Sequence, residues 1–328
     1  MKLGSLTLSV VMLLGSQLLA DDGNPAYTSI KEAGADYAIQ GEYEGVVEAD
    51  GNRWGAQIIA LGDGEFEVVG YLGGLPGAGW ERGDEINRAT GKMKGDVAVF
   101  DAGDFLLKAG NGVLKVVTPD DEALGKLEKV ERTSPTLGAK PPAGAVVLFD
   151  GSSVEGWENG KLSEEKWLTV EGTAHGTWSK EKFGDHHMHI EFRTPFKPKS
   201  RGQARGNSGV YVTSRYEVQV LDSFGLEGAD NECGGIYSIN RPIVNMCLPP
   251  LTWQTYDIDF TAAQYDGDGK KTKNARITVR HNGVVIHDDQ ELAHGTPGRF
   301  EEAAGPEALF LQDHGNPVVF RNIWAVKK

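Results

Sequence analysis

The sequence predicts an all-β protein: a two-sheet sandwich preceded by a second, smaller β-barrel or sandwich domain. Three observations predict it. Strand-length runs with apolar residues at alternate positions recur along the chain, each closed by Gly, Asp or Asn turn signals. The larger, C-terminal part shows no helical spacing of apolar residues beyond one turn. Between residues 130 and 151 the composition shifts to Pro, Gly, Ala and Thr, which marks a linker between two cores. A chain of 328 residues with 39% hydrophobic content is enough to fill both.

From the N-terminus, "MKLGSLTLSVVMLLGSQLLA", residues 1–20, has basic Lys2, an apolar run from Leu6 to Leu14, and small Ala20 before "DDG". This is the layout of a signal peptide cleaved near Ala20, so export to the periplasm or the medium is expected. Ser9, Gly15, Ser16 and Gln17 interrupt the run short of the roughly 20 apolar residues a span needs, so no membrane span is expected in the mature protein. Residues 22–135 then offer "YAIQGEYEGVV", "WGAQIIAL", "EFEVVGYL", "DVAVF", "DFLLKAG" and "GVLKVV", the strands of a small all-β domain. Its long "GGLPGAGWERGDEINRATGK" reads either as a contact surface or as a plain hairpin. Residues 136–143 form the Pro/Gly-rich linker. Residues 144–328 continue with "HHMHIEFRTP", "SGVYVTS", "YEVQVLD", "QTYDIDFTA", "ARITVRHNGVVIHDD", "EALFLQDHG" and "VVFRNIWAV", where Asn282-Gly283 supplies the positive φ of a tight hairpin.

A formal net charge of −14 makes nucleic acid and anionic membranes poor partners and suits a neutral, hydroxyl-rich ligand such as a carbohydrate. Cys233 and Cys247 are the only cysteines, and in an exported chain they are expected to form one disulfide.

Strand parity places the chemistry. In "RYEVQVLDSFG", Val218 and Val220 point to one face and Arg215, Glu217 and Gln219 to the other; a bulge near Leu221 would return Asp222 to that polar face. In "HHMHIEFRTP", Met188, Ile190 and Phe192 turn inward and His187, His189, Glu191 and Arg193 outward. If the two strands share one sheet, carboxylates and arginines meet on a cleft floor; otherwise they are solvated cross-strand ion pairs. His314 sits in the turn of "LQDHGNPVVFRNIW", where an imidazole can serve as acid or base near neutrality. "GNSGVY" offers Asn207, Ser208 and Tyr211 as partners for sugar hydroxyls. Two metal patterns are incomplete: His187 with His189 has no third ligand by spacing, and "YDGDGKK" lacks the closing Glu of a calcium loop. The identity of any metal is unknown, and a divalent cation stays open.

Taken in order, "GAVVLFDGSSVEGW", "IEFRTP", "GNSGVYV", "RYEVQVLDSFG", "CGGIYSI", "WQTYDIDF" and "LQDHGNPVVFRNIW" resemble the 3-keto-disaccharide hydrolase domain family over about residues 144–327. The resemblance implies a concanavalin A-like jelly roll that binds sugar across one sheet. In retaining glucanases of that fold the matching strand reads Glu-x-Asp-x-x-Glu; here those positions are Glu217, Gln219 and Asp222. Gln in place of the helper Asp departs from two-carboxylate hydrolysis. A 3-keto sugar asks for something else, because the ketone acidifies the C2 proton and lets the C1 substituent leave by elimination, with hydration giving net hydrolysis.

The expectation is an exported enzyme acting on 3-keto glycosides or disaccharides. Its catalytic candidates are Glu217, His314, Asp222 and Glu191, and its substrate-binding candidates are Arg193, Arg215, Gln219, Asn207 and Tyr211. Glu217 or His314 would be the base, Arg193 or Arg215 the enolate stabiliser, and Asp222 an acid or orienter. The same face would also serve a non-catalytic, lectin-like carbohydrate-binding module, or a retaining glycosidase with Glu217 as nucleophile.

Overall fold

A computed structural model describes residues 24–328. The expected signal peptide and its cut near Ala20 lie outside the described residues. The first expected strand begins instead as a short helix, Gly34–Ile39, and Gly41 at φ 145° redirects the chain into the strand Gly41–Val47. Eight antiparallel strands then close a barrel, Gly41–Val47 pairing on one side with Asn52–Gly62 and on the other with Ala123–Val130. Closure removes the open edges that short alternating strands would otherwise leave.

The C-terminal part is a sandwich. Its larger sheet runs Lys161–Leu162, Leu168–Thr169, Val319–Lys327, His186–Arg193, Gln254–Thr261, Ala275–His281 and Val284–Leu292, with Val146–Phe149 also paired to Val319–Lys327. The smaller sheet runs Trp157–Glu158, Gly176–Phe183, Glu307–Gln312, Ser208–Val212 and Tyr216–Val220. Ile190, Phe192, Val210, Val218, Val220 and Phe320 are fully buried between them, the inward parity that the sequence predicts. Asn282 and Gly283, at φ 50° and 81°, make the expected tight turn.

Two expectations are corrected here. The strands carrying Glu191 and Glu217 belong to different sheets, so their polar faces look away from each other across a core about 10 Å thick. Cys233 and Cys247 are free thiols rather than a disulfide. Both are buried in the sandwich core and held by hydrogen-bond partners of their own, Cys233 Sγ lying 3.2 Å from the Tyr256 hydroxyl and Cys247 Sγ 3.5 Å from the carbonyl oxygens of Leu221 and Leu248.

The barrel is docked on the sandwich through one continuous apolar cluster in which Ile59, Val69 and Tyr71 join Leu221, Phe224 and Met246. The long barrel loop reinforces the contact: Trp80 packs edge-on against Tyr71 at 5.2 Å, and the Arg82 guanidinium donates to the carbonyls of Glu227, Pro242 and Ile243 at 2.8, 3.1 and 3.0 Å. The first half of the linker is also pinned. Thr136 Oγ1 donates to Asp257 Oδ2 at 2.6 Å, Gly138 N to Glu191 Oε1 at 2.6 Å, and Trp324 Nε1 to Ala139 O at 3.2 Å, which lays residues 136–139 along the outer face of the larger sheet.

Candidate active site

The outer face of the smaller sheet carries the first of two polar constellations. Glu217 stands opposite Tyr211 in the ladder, and Gly209 stands opposite Gln219. Alternation puts all four on the face away from the core. The Glu217 side chain folds over Gly209: a Cβ there would come within 2.3 Å of Glu217 Oε1, so only glycine leaves the carboxyl room. Glu217 is 3% exposed. Burial pushes its carboxyl up to about 7, opposed by a hydrogen bond from the Tyr211 hydroxyl. Burial and the neighbouring Glu217 charge raise the Tyr211 phenol in turn, so at neutral pH it is a donor.

Around this pair, Gln312 Nε2 donates to Tyr211 Oη at 3.3 Å, and the loop after Leu292 crosses above. That loop is fixed by Thr296, whose hydroxyl accepts from Glu217 N at 2.9 Å and whose own N–H donates to Arg215 O at 2.8 Å. It brings Gly298 beside the Tyr211 hydroxyl and lays the Arg299 guanidinium 3.8 Å from the Phe310 ring centroid and 5.1 Å from that of Trp178. Arg299 Nη2 donates to His175 O at 3.2 Å. His175 has φ 128°, a costly conformation for a residue with a side chain. Its carbonyl also accepts from Asp313 N at 2.9 Å, and the two bonds hold the strained turn. The result is one acid or base near neutrality, a phenol, an amide, a cation and two aromatic rings, the mixture with which proteins hold sugars.

The remaining candidates are placed as follows. Gln219 and Asn207 are buried and bonded to each other, Gln219 Nε2 donating to Asn207 Oδ1 at 2.8 Å. Asp222 is not on the polar face. The strand ends at Val220 without a bulge, and Asp222 Oδ2 accepts from Arg205 Nε at 2.7 Å, both side chains buried. Arg205 also donates to Ala60 O at 3.3 Å, so this pair ties sandwich to barrel. Arg215 belongs to the hairpin turn, its Nη1 donating to Gly305 O at 3.0 Å. His314 is exposed, two residues beyond Gln312.

The second constellation lies across the sandwich, beneath residues 136–139. Glu191 accepts from Gly138 N, Asn322 Nδ2 and Arg321 Nε at 2.6, 2.8 and 2.6 Å. Burial would raise its carboxyl, but these bonds and His189 outweigh burial and bring it down to about 2. Burial pulls His189 down, yet Asp257, 2.6 Å from Nδ1, together with Glu191, holds the imidazole above its ordinary value. Arg193 stacks on Trp167 at 4.2 Å and donates to Thr28 O, on this same side. Among the described residues, no group of three or more His, Cys, Asp or Glu side chains is placed to hold a metal ion. The "YDGDGKK" stretch is a turn in which Asp266 Oδ1 accepts from the N–H groups of Asp268 and Lys270.

Of the residues named from the sequence, Glu217 and Tyr211 are brought together on this face; Arg299, Gln312, Trp178 and the permissive Gly209, which lie beside them, were not named. Gln312 was within reach, since it occupies the polar-face position of "EALFLQ"; Arg299 lies in a loop with no periodicity to read.

An all-β sandwich with such a face is the architecture of a carbohydrate-active protein. Residues 144–326 match the 3-keto-alpha-glucoside-1,2-lyase-like domain, and the chain belongs to that family. It is similar to a protein of Parabacteroides distasonis ATCC 8503 named as a candidate glycosyl hydrolase, at 33% identity and TM-score 0.53 over 57% of this chain and 85% of that one. A second candidate glycosyl hydrolase of the same bacterium aligns at 18% identity and TM-score 0.41, over 56% and 94%. No curated protein matches the chain. No helix among the described residues is long and apolar enough to cross a membrane.

Proposed function

We propose that this protein, after export, cleaves 3-keto glycosides by elimination across C1 and C2, with hydration of the product giving net hydrolysis. The observation that carries the reading is Glu217: one carboxyl, buried beside a phenol donor, held near neutrality, with no second carboxylate acting on it. Two-carboxylate glycosidases need a partner acid about 5 to 9.5 Å away. The position that would supply it, Asp222, is bound to Arg205 instead.

In elimination, Glu217 takes the C2 proton, the C2–H electrons form the C1=C2 double bond, and the C1–O bond breaks to release the aglycone oxygen. That oxygen needs a proton, which Tyr211, or His314 in the exposed turn after Gln312, can give. The enolate oxygen at C3 needs a cation or donor, and Arg299 with Gln312 takes the role first assigned to Arg193 or Arg215. The half-buried ring of Trp178 provides the aromatic surface a sugar can reach, while Phe310 is fully buried and supports Arg299 from below.

The test is turnover of matched 3-keto and unmodified glycosides, with and without chelator. Release of aglycone from the keto substrate alone supports elimination. Release from both points to a glycosidase, and binding without release to a lectin-like module.

A further inference from the structure

The barrel is packed at one end only. Tyr43, Ile58, Phe66 and Phe100 are fully buried and fill the end nearer Gly62, the last two in edge-on contact at 6.4 Å. Toward the other end the inward positions shrink to Ala56, Gly70 and Ala89 beside Trp54, and the interior opens into a cavity of about 570 Å³. Its wall is otherwise Val68, Leu107, Leu114, Val116 and Leu127. A Cβ added at Gly70 would sit 3.7 Å from the Trp54 ring, so the space is not closed by tight packing.

Interiors normally fill such space, because wet apolar wall costs about 25 cal/mol per Å². An eight-stranded barrel is wide enough either to be filled by side chains or to hold one small ligand. This one is half of each, and the cavity falls in the size range of ligand pockets.

Charge selects the occupant. The rim carries Asp50, Glu85 and Asp101, and its one arginine, Arg88, is drawn away to Glu67 at 2.8 Å and to Gly225 O at 3.1 Å. An anionic headgroup would meet carboxylates and no free cation. Trp54 Nε1 is satisfied by Asp50 Oδ2 at 3.0 Å, which leaves the indole as an apolar wall.

We propose that the barrel binds a neutral, apolar, ring-bearing small molecule in this cavity, against Trp54, with any hydroxyl or amine directed to the acidic rim. The site is separate from the carbohydrate face and does not depend on its chemistry.

The test titrates the full chain with the neutral fluorophore N-phenyl-1-naphthylamine. Saturable uptake is expected, with a Kd on the order of micromolar, and the total tryptophan-to-probe energy transfer should fall in Trp54→Phe although the chain's other tryptophans remain. Decanoate, apolar but anionic, should compete at least about tenfold less well than 2-naphthol. Ala89→Trp and Gly70→Leu fill the cavity from two strands; each should weaken the probe at least about tenfold, with the far-ultraviolet circular dichroism and the sandwich's turnover unchanged. If one of the two fails to fold, the other decides. Absence of saturable uptake, uptake that survives both fillings, or preference for decanoate would overturn the proposal. Displacement by an apolar peptide but not by 2-naphthol would overturn it in favour of a protein segment as occupant.

Discussion

Replacing Glu217 by Gln separates a catalytic carboxyl from a structural one, because the two roles predict stability changes of opposite sign. Burial raises the group from an ordinary 4.5 to about 7 in the folded chain. Below pH 4.5 the carboxyl is protonated in both states and contributes nothing. Between 4.5 and 7 the folded state keeps a proton that the unfolded state has lost, so stability falls as pH rises; above 7 the penalty is complete. The shift corresponds to roughly 3 kcal/mol, at about 1.4 kcal/mol per unit.

Glu217→Gln carries no such penalty, and Tyr211 can still donate to the amide oxygen. The variant should therefore be more stable than wild type at pH 8, by up to roughly 3 kcal/mol, and equal to it near pH 4.5. Turnover of a 3-keto glycoside should fall about 100-fold or more. In the wild type, kcat/KM should rise about tenfold between pH 6 and 8 as the base ionises. Urea unfolding at the two pH values and one pH–rate profile suffice. A variant destabilised equally at all pH values would mean that the carboxylate holds structure, and near wild-type turnover would move the base elsewhere, with His314 next in line.

Four further outcomes are expected. Glu191→Gln should destabilise the chain by about 1 to 3 kcal/mol, because Gly138 N, Asn322 and the partly exposed Arg321 lose their charged acceptor, while turnover per folded molecule stays at the wild-type value; a selective loss of turnover would restore Glu191 to the catalytic set. The stability that Glu191 contributes is complete above pH 4.5 and is lost only as pH falls toward about 2, so acid unfolding of the wild type should be late relative to the variant. Asp222→Ala should cost about 3 to 5 kcal/mol by leaving Arg205 unpaired between barrel and sandwich, read as an earlier urea midpoint; an unchanged midpoint would free Asp222 for chemistry. Gly209→Ala should preserve the fold and lower kcat, since the added methyl displaces the Glu217 carboxyl, and a wild-type pH–rate profile would contradict that.

What the sequence disclosed and what it hid follow from the range of each signal. Parity along a strand is local, so "YEVQV" was enough to bury Val218 and Val220 and turn Glu217 and Gln219 the other way. Which sheet a strand joins is decided by partners far along the chain, such as Glu307–Gln312 beside Ser208–Val212. Nothing in "HHMHIEFRTP" or "RYEVQVLDSFG" states that they face opposite solvents. The two cysteines misled for a related reason: counting them fixes only a possible pair, whereas their actual state depends on Tyr256 and the carbonyls packed around them.

Glu191 and Glu217 make the same point in energetic form. Both are glutamates on the polar side of an alternating strand, indistinguishable by pattern. Three directed donors and a histidine hold one down to about 2, and a nearly donor-free burial lifts the other to about 7. A carboxyl that acts as a base at neutral pH must give up the donors that would stabilise its charge. Tyr211 is the one donor that lowers the Glu217 carboxyl, which makes Tyr211→Phe the sharper probe of tuning. Removing it should push the Glu217 carboxyl still higher and move the rising limb of the pH–rate profile to more alkaline pH. A profile that stays in place would mean that the limb belongs to another group.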